Sequence, residues 1–137
     1  METQVFTHPD LPGVTIRSMG SRQPSRDVPQ SVVVTLEPDT VIPLHSHRTD
    51  AFMYISAGCG VILSEDDRNG LMVLPGTTVH FHANEKHGFM SANTGLQFVS
   101  ANGGIVDESP DNWDITFDEG TGFWTRLWQW ISHLFGL

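Results

Sequence analysis

Five of the seven histidines in this 137-residue chain fall in two short stretches. His45 and His47 stand two apart in LHSH, and His80, His82 and His87 share VHFHANEKHG. Alternation along a strand puts residues i and i+2 on one face, with Cα atoms under about 7 Å apart, so an H-x-H pair can grip a single ion. Neutral imidazole suits Zn, Fe, Cu and Ni, and a catalytic site commonly takes three protein ligands and leaves a position open. His45 and His47 with one histidine of the second stretch make that number. Spacing alone leaves His80, His82 and His87 all eligible for the third place. His8 and His133 stand apart and read as ordinary core or surface histidines.

The elements that must position these residues read as strands. Between residues 31 and 100, short runs rich in Val, Ile, Leu, Phe and Thr alternate with turn residues: SVVVTL before EPDT, AFMYIS before AGCG, VILS before EDDRNG, LMVL before PG, TTVHFH before ANEKHG, and LQFVSA before NGG. Asn69-Gly70 is a hairpin signal, since both residues tolerate the positive φ of a type I′ turn. Strands of this length and spacing predict an all-β antiparallel barrel, whose closure removes exposed edges. Cys59 lies between two glycines and is placed in a hairpin turn; no cation stands near it in sequence to activate a thiolate, so it reads as structural.

Length and charge bound the rest. The chain is sized for one domain with its own core. Seven Lys and Arg against sixteen Asp and Glu give a formal charge of −9, and no basic cluster for a phosphate backbone is present, which argues against nucleic acid. Arg17, Arg22 and Arg26 are the densest cations and lie with Pro24 and Pro29 in a stretch that reads as loop. The single cysteine excludes an internal disulfide framework, and METQVFTHPDLPG lacks the basic and apolar regions of a secretory signal, so the expected setting is cytoplasmic.

Residues 105–120 carry six acids and no base, the composition of a solvated connector, a covering loop or a short edge strand. Residues 121–137, TGFWTRLWQWISHLFGL, change period: Phe123, Trp124, Leu127, Trp128, Trp130, Ile131, Leu134 and Phe135 share one side of a helical wheel, with Arg126, Gln129, Ser132 and His133 opposite. Thr121 supplies an N-cap. This predicts a C-terminal amphipathic helix, divided from a barrel domain at 1–120. It is expected to pack on the barrel or on the partner of a homodimer; Arg126 alone on its polar face disfavours a membrane surface.

The order of these features resembles the cupin superfamily, whose first motif is G-x5-H-x-H-x3,4-E-x6-G and whose second is G-x5-P-x-G-x2-H-x3-N. The first falls on His45, His47 and Gly58, with Asp39 in place of its opening glycine and Ala51 in place of its glutamate. The second falls on Gly76 and His87, with His82 for its proline, Asn84 for its inner glycine and Ser91 for its asparagine. The likeness covers about residues 31–100. Asp and Asn accept the left-handed backbone where glycine is usual, so Asp39 and Asn84 are compatible with the fold. Ala51 removes the anionic ligand that the resemblance implies, leaving His45, His47 and His87 as a three-histidine set.

Three neutral ligands leave the charge of a divalent ion intact and leave room for a chelating substrate. The resemblance then implies one divalent metal ion, Fe(II) in preference to Zn, Ni, Mn or Cu, and a dioxygenase acting on a small chelating molecule. The alternatives are a small-molecule-binding or sensing barrel without catalysis, and a metal-dependent isomerase or lyase. On a regular strand Asp50 faces away from the interior, although a bulge between His47 and Phe52 would turn it inward as a further ligand. His80 and His82 either support the ligands from behind or lie on the surface. By alternation Ala51, Met53 and Ile55 share one face, Phe89 and Ser91 share that of His87, and these five are expected to line the pocket; Tyr54 falls on the opposite face.

Overall fold

The computed structural model describes residues 4–18, 30–65, 70–102 and 109–118. Nine strands are described: β1 (Val5–Phe6), β2 (Val14–Ser18), β3 (Gln30–Leu36), β4 (Val41–Ser46), β5 (Ala51–Ser64), β6 (Leu71–Val73), β7 (Thr78–Phe81), β8 (His87–Asn102) and β9 (Thr116–Phe117). A 3-10 turn at Pro110–Asn112 precedes β9. Every pairing is antiparallel. The sheet curls around one core, as the all-β reading requires. The C-terminal helix expected at 121–137 lies outside the described residues, and so does Asn69 of the expected hairpin. Among the described residues no helix is long and apolar enough to cross a membrane.

Two long strands organise the barrel. The C-terminal half of β8 pairs with β3 on one side and with the first half of β5 on the other, while its N-terminal half pairs with β4 and with the second half of β5. Burial follows the two-residue period: Val14 and Ile16 on β2, Val32, Val34 and Leu36 on β3, Met53 and Ile55 on β5, and Leu96 and Phe98 on β8 all enter one core. Burying each such side chain stabilises the fold by about 1.5–3 kcal/mol. The outward neighbours Phe52 and Tyr54 remain exposed.

AGCG is not a turn. Residues 51–64 form one continuous strand, interrupted by register shifts between Ile55 and Ala57 and between Gly58 and Gly60. Gly58 has φ +72, and a Cβ there would collide with the Gly95 carbonyl. A Cβ on Gly60 would collide with the Met90 carbonyl. These glycines bring β5 and β8 into close backbone approach where both strands bend. Cys59 therefore sits within a bulged strand, its Sγ 3.4 Å from the Thr94 hydroxyl.

The motif positions that carry glycine in the resemblance all adopt left-handed backbone: Asp39 at φ +53, Gly58 at +72, Gly76 at +95 and Asn84 at +65. Asp and Asn fill two of these places as their short polar side chains permit.

Candidate metal centre

A bulge sets the first two histidines. On β4, Ile42 belongs to the main core while Leu44 belongs to a smaller cluster with Leu63, and a register shift falls between Ile42 and His45. The extra residue turns His45 back to the side of Ile42. Pro43, which has no N–H to contribute to the ladder, sits in that bulge, and its carbonyl accepts the His45 Nδ1–H at 2.7 Å. His47 follows two residues later on the same side.

Pairing delivers the third. His87 opens β8 directly opposite His45 on β4. Its Nδ1–H donates to the Glu85 carbonyl at 2.9 Å, and its ring stacks on Phe81 with centroids 3.9 Å apart. The His45 ring lies 4.4 Å from that of His87 and 5.0 Å from that of His47, and His47 and His87 are 5.3 Å apart. The acidic segment completes the arrangement. β9 pairs with His45 and Ser46, which brings the Asp114 carbonyl onto the His47 Nδ1–H. The Asp114 carboxylate in turn accepts the Arg48 backbone N–H at 3.1 Å and pairs with the Arg48 side chain at 3.1 Å.

All three rings thus make the same commitment. A carbonyl only accepts, so each Nδ1 carries the proton and the nitrogen left to each ring is a basic Nε2. One ligand atom from each histidine lies within 4.8 Å of the other two. His45 and His87 are 4% and 1% exposed, and His87 Nε2 is buried without a hydrogen-bond partner among the described residues. A buried nitrogen of that kind normally has a partner, and a metal ion is one that takes lone pairs from several nitrogens at once. Burial, followed by the neighbouring His87 and His47, holds the pKa of His45 well below the ordinary imidazole value. Burial likewise holds His87 down to about 4, opposed by its bond to Glu85 and reinforced by His47. Both are neutral at pH 7, the form that binds metal. The residues fit a divalent ion.

Beside the histidines lies a cavity of about 70 Å³. Phe89 lines it as the alternation predicted; Ala51, Met53, Ile55 and Ser91 are buried but are not part of its wall. The β8 rings of Phe89 and Phe98, stacked with centroids 4.8 Å apart, form the wall on that side, and Met53 and Ile55 serve as core. Ser91 braces a turn instead: its hydroxyl donates to the Glu37 carbonyl at 2.6 Å and accepts the Thr40 N–H at 2.8 Å, closing the loop that holds Asp39. Val32 and Val34 on β3, paired with Ser100 and Phe98, and Val14 and Ile16 on β2 carry that wall across the sheet, and Trp113 and Ile115 also line the cavity. Sequence reasoning missed that last pair, although the alternation of Trp113, Ile115 and Phe117 within an acidic stretch is a strand signal. Ser100 and Asp114 are further polar residues on the wall.

Asp50, His80 and His82 stand elsewhere. No bulge turns Asp50 inward; Ala51 is already paired with Phe81 and Asn102, and the Asp50 side chain is exposed on the outside of the barrel with those two histidines.

No protein-family model matches the sequence, and no curated protein matches it. Solved structures do resemble it. The polyketide cyclase RemF from Streptomyces resistomycificus superposes with a TM-score of 0.66 at 18% identity, covering 80% of this chain and 84% of that one. A cupin-2 domain from Rhodospirillum rubrum gives a TM-score of 0.67 at 15% identity, covering 99% of this chain and 88% of its own. The DMSP lyase DddQ from Ruegeria pomeroyi DSS-3 gives 0.62 at 19% identity, covering 78% of this chain and 53% of that one. At these identities the likeness speaks for the fold.

Proposed function

Taking as premise that the chain has the fold of the cupin superfamily, we propose that it holds one divalent metal ion on His45, His47 and His87 and acts as an Fe(II)-dependent dioxygenase of a small chelating molecule. The observation that carries this reading is the donor set: three imidazoles face one point, each fixed through Nδ1 to a backbone carbonyl, with Ala51 where the resemblance implies an anionic ligand. An iron ion held there supplies redox chemistry toward dioxygen and an electron-rich substrate that chelates it. The carbonyls of Pro43, Asp114 and Glu85 fix the ring tautomers and keep Nε2 basic. Phe81 and Phe89 hold the His87 ring from two sides. The apolar wall of Val32, Val34, Phe98 and Trp113 excludes water from the bound molecule and favours a ligand with a compact hydrocarbon part.

The short acid–base inventory of the cavity supports oxidation or binding without turnover over proton-transfer chemistry. Asp114 is the one carboxylate on its described wall, and that group is committed to Arg48. A second reading, a metal-dependent lyase, cyclase or isomerase, draws support from the structural resemblance to a polyketide cyclase and a lyase. The two separate in one experiment. Protein purified without chelators or nickel resin is analysed for metals and screened for oxygen uptake with small diketones, thiols and hydroxy acids. Iron at the histidines with oxygen consumed in step with substrate is the expected result. Zinc retained with substrate converted in the absence of oxygen would replace it with the second reading, and metal retained with no turnover of any compound would make the barrel a binder.

A further inference from the structure

Outside the barrel, Asp50, His80 and His82 form a second group whose ligand atoms all lie within 4.8 Å of one another. We propose that this group is a separate surface site for a divalent transition metal of the Zn(II) class, with His80 and His82 as nitrogen ligands and Asp50 as the oxygen ligand. Three separate elements assemble it. Asp50 immediately precedes β5, His80 lies on β7 opposite Phe52, and His82 follows β7 at the start of the turn that holds Asn84.

One pair of donors is already near the spacing of a bound site. His80 Nε2 and Asp50 Oδ2 are 3.0 Å apart. Ligand bonds of about 2.0–2.1 Å at tetrahedral angles put two donors about 3.3 Å apart, so the pair needs to open by only a few tenths of an ångström to admit an ion. Each ligand is also held. The other Asp50 oxygen accepts the Ala83 N–H at 2.9 Å, which fixes the carboxylate on the turn that follows β7. Phe52 stacks flat on the His80 ring with centroids 4.4 Å apart and planes inclined by 4°. The His82 ring meets His80 edge-on at 4.6 Å, while its backbone N–H is tied to Glu85 Oε2 at 2.8 Å. Two imidazoles and one carboxylate are a borderline donor set that selects Zn, Co, Ni or Cu over Ca or Mg. All three side chains are exposed, so water completes the coordination.

The site shares no ligand with the inner histidines and is tested against them. Chelator-treated full-length protein is titrated with Co(II) alone at pH 7, followed by visible absorption and calorimetry, and the wild type is expected to take two equivalents. A His80→Gln, His82→Gln variant, whose changes are on the surface and whose fold is checked by circular dichroism, is expected to take one. A His45→Ala, His87→Ala variant is expected to keep the outer equivalent; if it does not fold, His47→Ala serves in its place. A wild type with one equivalent that survives His80→Gln, His82→Gln and disappears with the inner variant would overturn the outer site and leave the inner one standing. One equivalent with the opposite behaviour would sustain the outer site and overturn the inner one. No binding by the wild type would overturn both.

Discussion

The two histidine clusters have nearly the same composition and opposite circumstances. In the inner one each ring spends its Nδ1 proton on a backbone carbonyl, and in two of the three the ring is almost wholly buried. In the outer one a ring is satisfied by a carboxylate side chain and all three groups face solvent. A buried neutral imidazole with no second partner is costly unless a ligand fills the gap; an exposed imidazole–carboxylate contact is content either way and contributes little to stability. The inner cluster is therefore coupled to folding, to the tautomer and to whatever fills the cavity. The outer one is coupled mainly to the ion itself.

That contrast can be broken most directly at the ligands. His45→Ala together with His87→Ala is expected to abolish stoichiometric metal at the inner site and all metal-dependent turnover, whereas His80→Gln with His82→Gln is expected to leave turnover intact. Activity that follows the outer pair would invert the assignment. The next largest effect is on acid stability of the metal-free protein. The folded-state pKa of His87 is about 4 against an ordinary 6.5, so between those values the unfolded chain takes up a proton that the folded one refuses. Stability is then fully present above pH 6.5 and falls as the pH drops toward 4, by about 3 kcal/mol for this group. His45 acts in the same direction. Urea midpoints at pH 7 and pH 5 check this, and equal midpoints would contradict the buried neutral state.

A smaller change sharpens the comparison from the side of the covering segment. Asp114→Ala frees the Arg48 N–H and loosens the segment whose carbonyl orients His47, and is expected to weaken inner metal binding about tenfold and stability by about 1 kcal/mol. Unchanged affinity in a competition titration would mean that the carbonyl is held without the carboxylate. Least of all, Phe52→Ala on the outer face is expected to shift stability by no more than about 0.5 kcal/mol. It should leave the inner ion untouched, and an altered inner affinity would show that the two clusters communicate through β5.

Much of this was legible in the chain. The two-residue period of SVVVTL and AFMYIS made the inward faces of β3 and of the first part of β5 readable, and the H-x-H pair at 45 and 47 did share a side. The positions where Asp39 and Asn84 stand for glycine did adopt the left-handed backbone. AGCG was misread because glycines that permit a close strand crossing look, in one dimension, like glycines that make a turn. Asp50 proved to face outward, as regular alternation favours, and the inward bulge fell elsewhere, on β4.

What the sequence determined by itself is periodicity and chemistry: which residues can alternate into a core, which backbones can be left-handed, and which side chains can ligate a metal. These are local properties, fixed by the steric and electronic character of each residue and its near neighbours. What only the tertiary structure decided is partnership. The bulge at Pro43 turns His45 inward, antiparallel pairing sets His87 opposite it, and a carbonyl from Asp114, 67 residues beyond His47, fixes the remaining ring. Those relations depend on strand register and closure, which are set by the packing of the whole barrel, and no spacing within a single stretch encodes them.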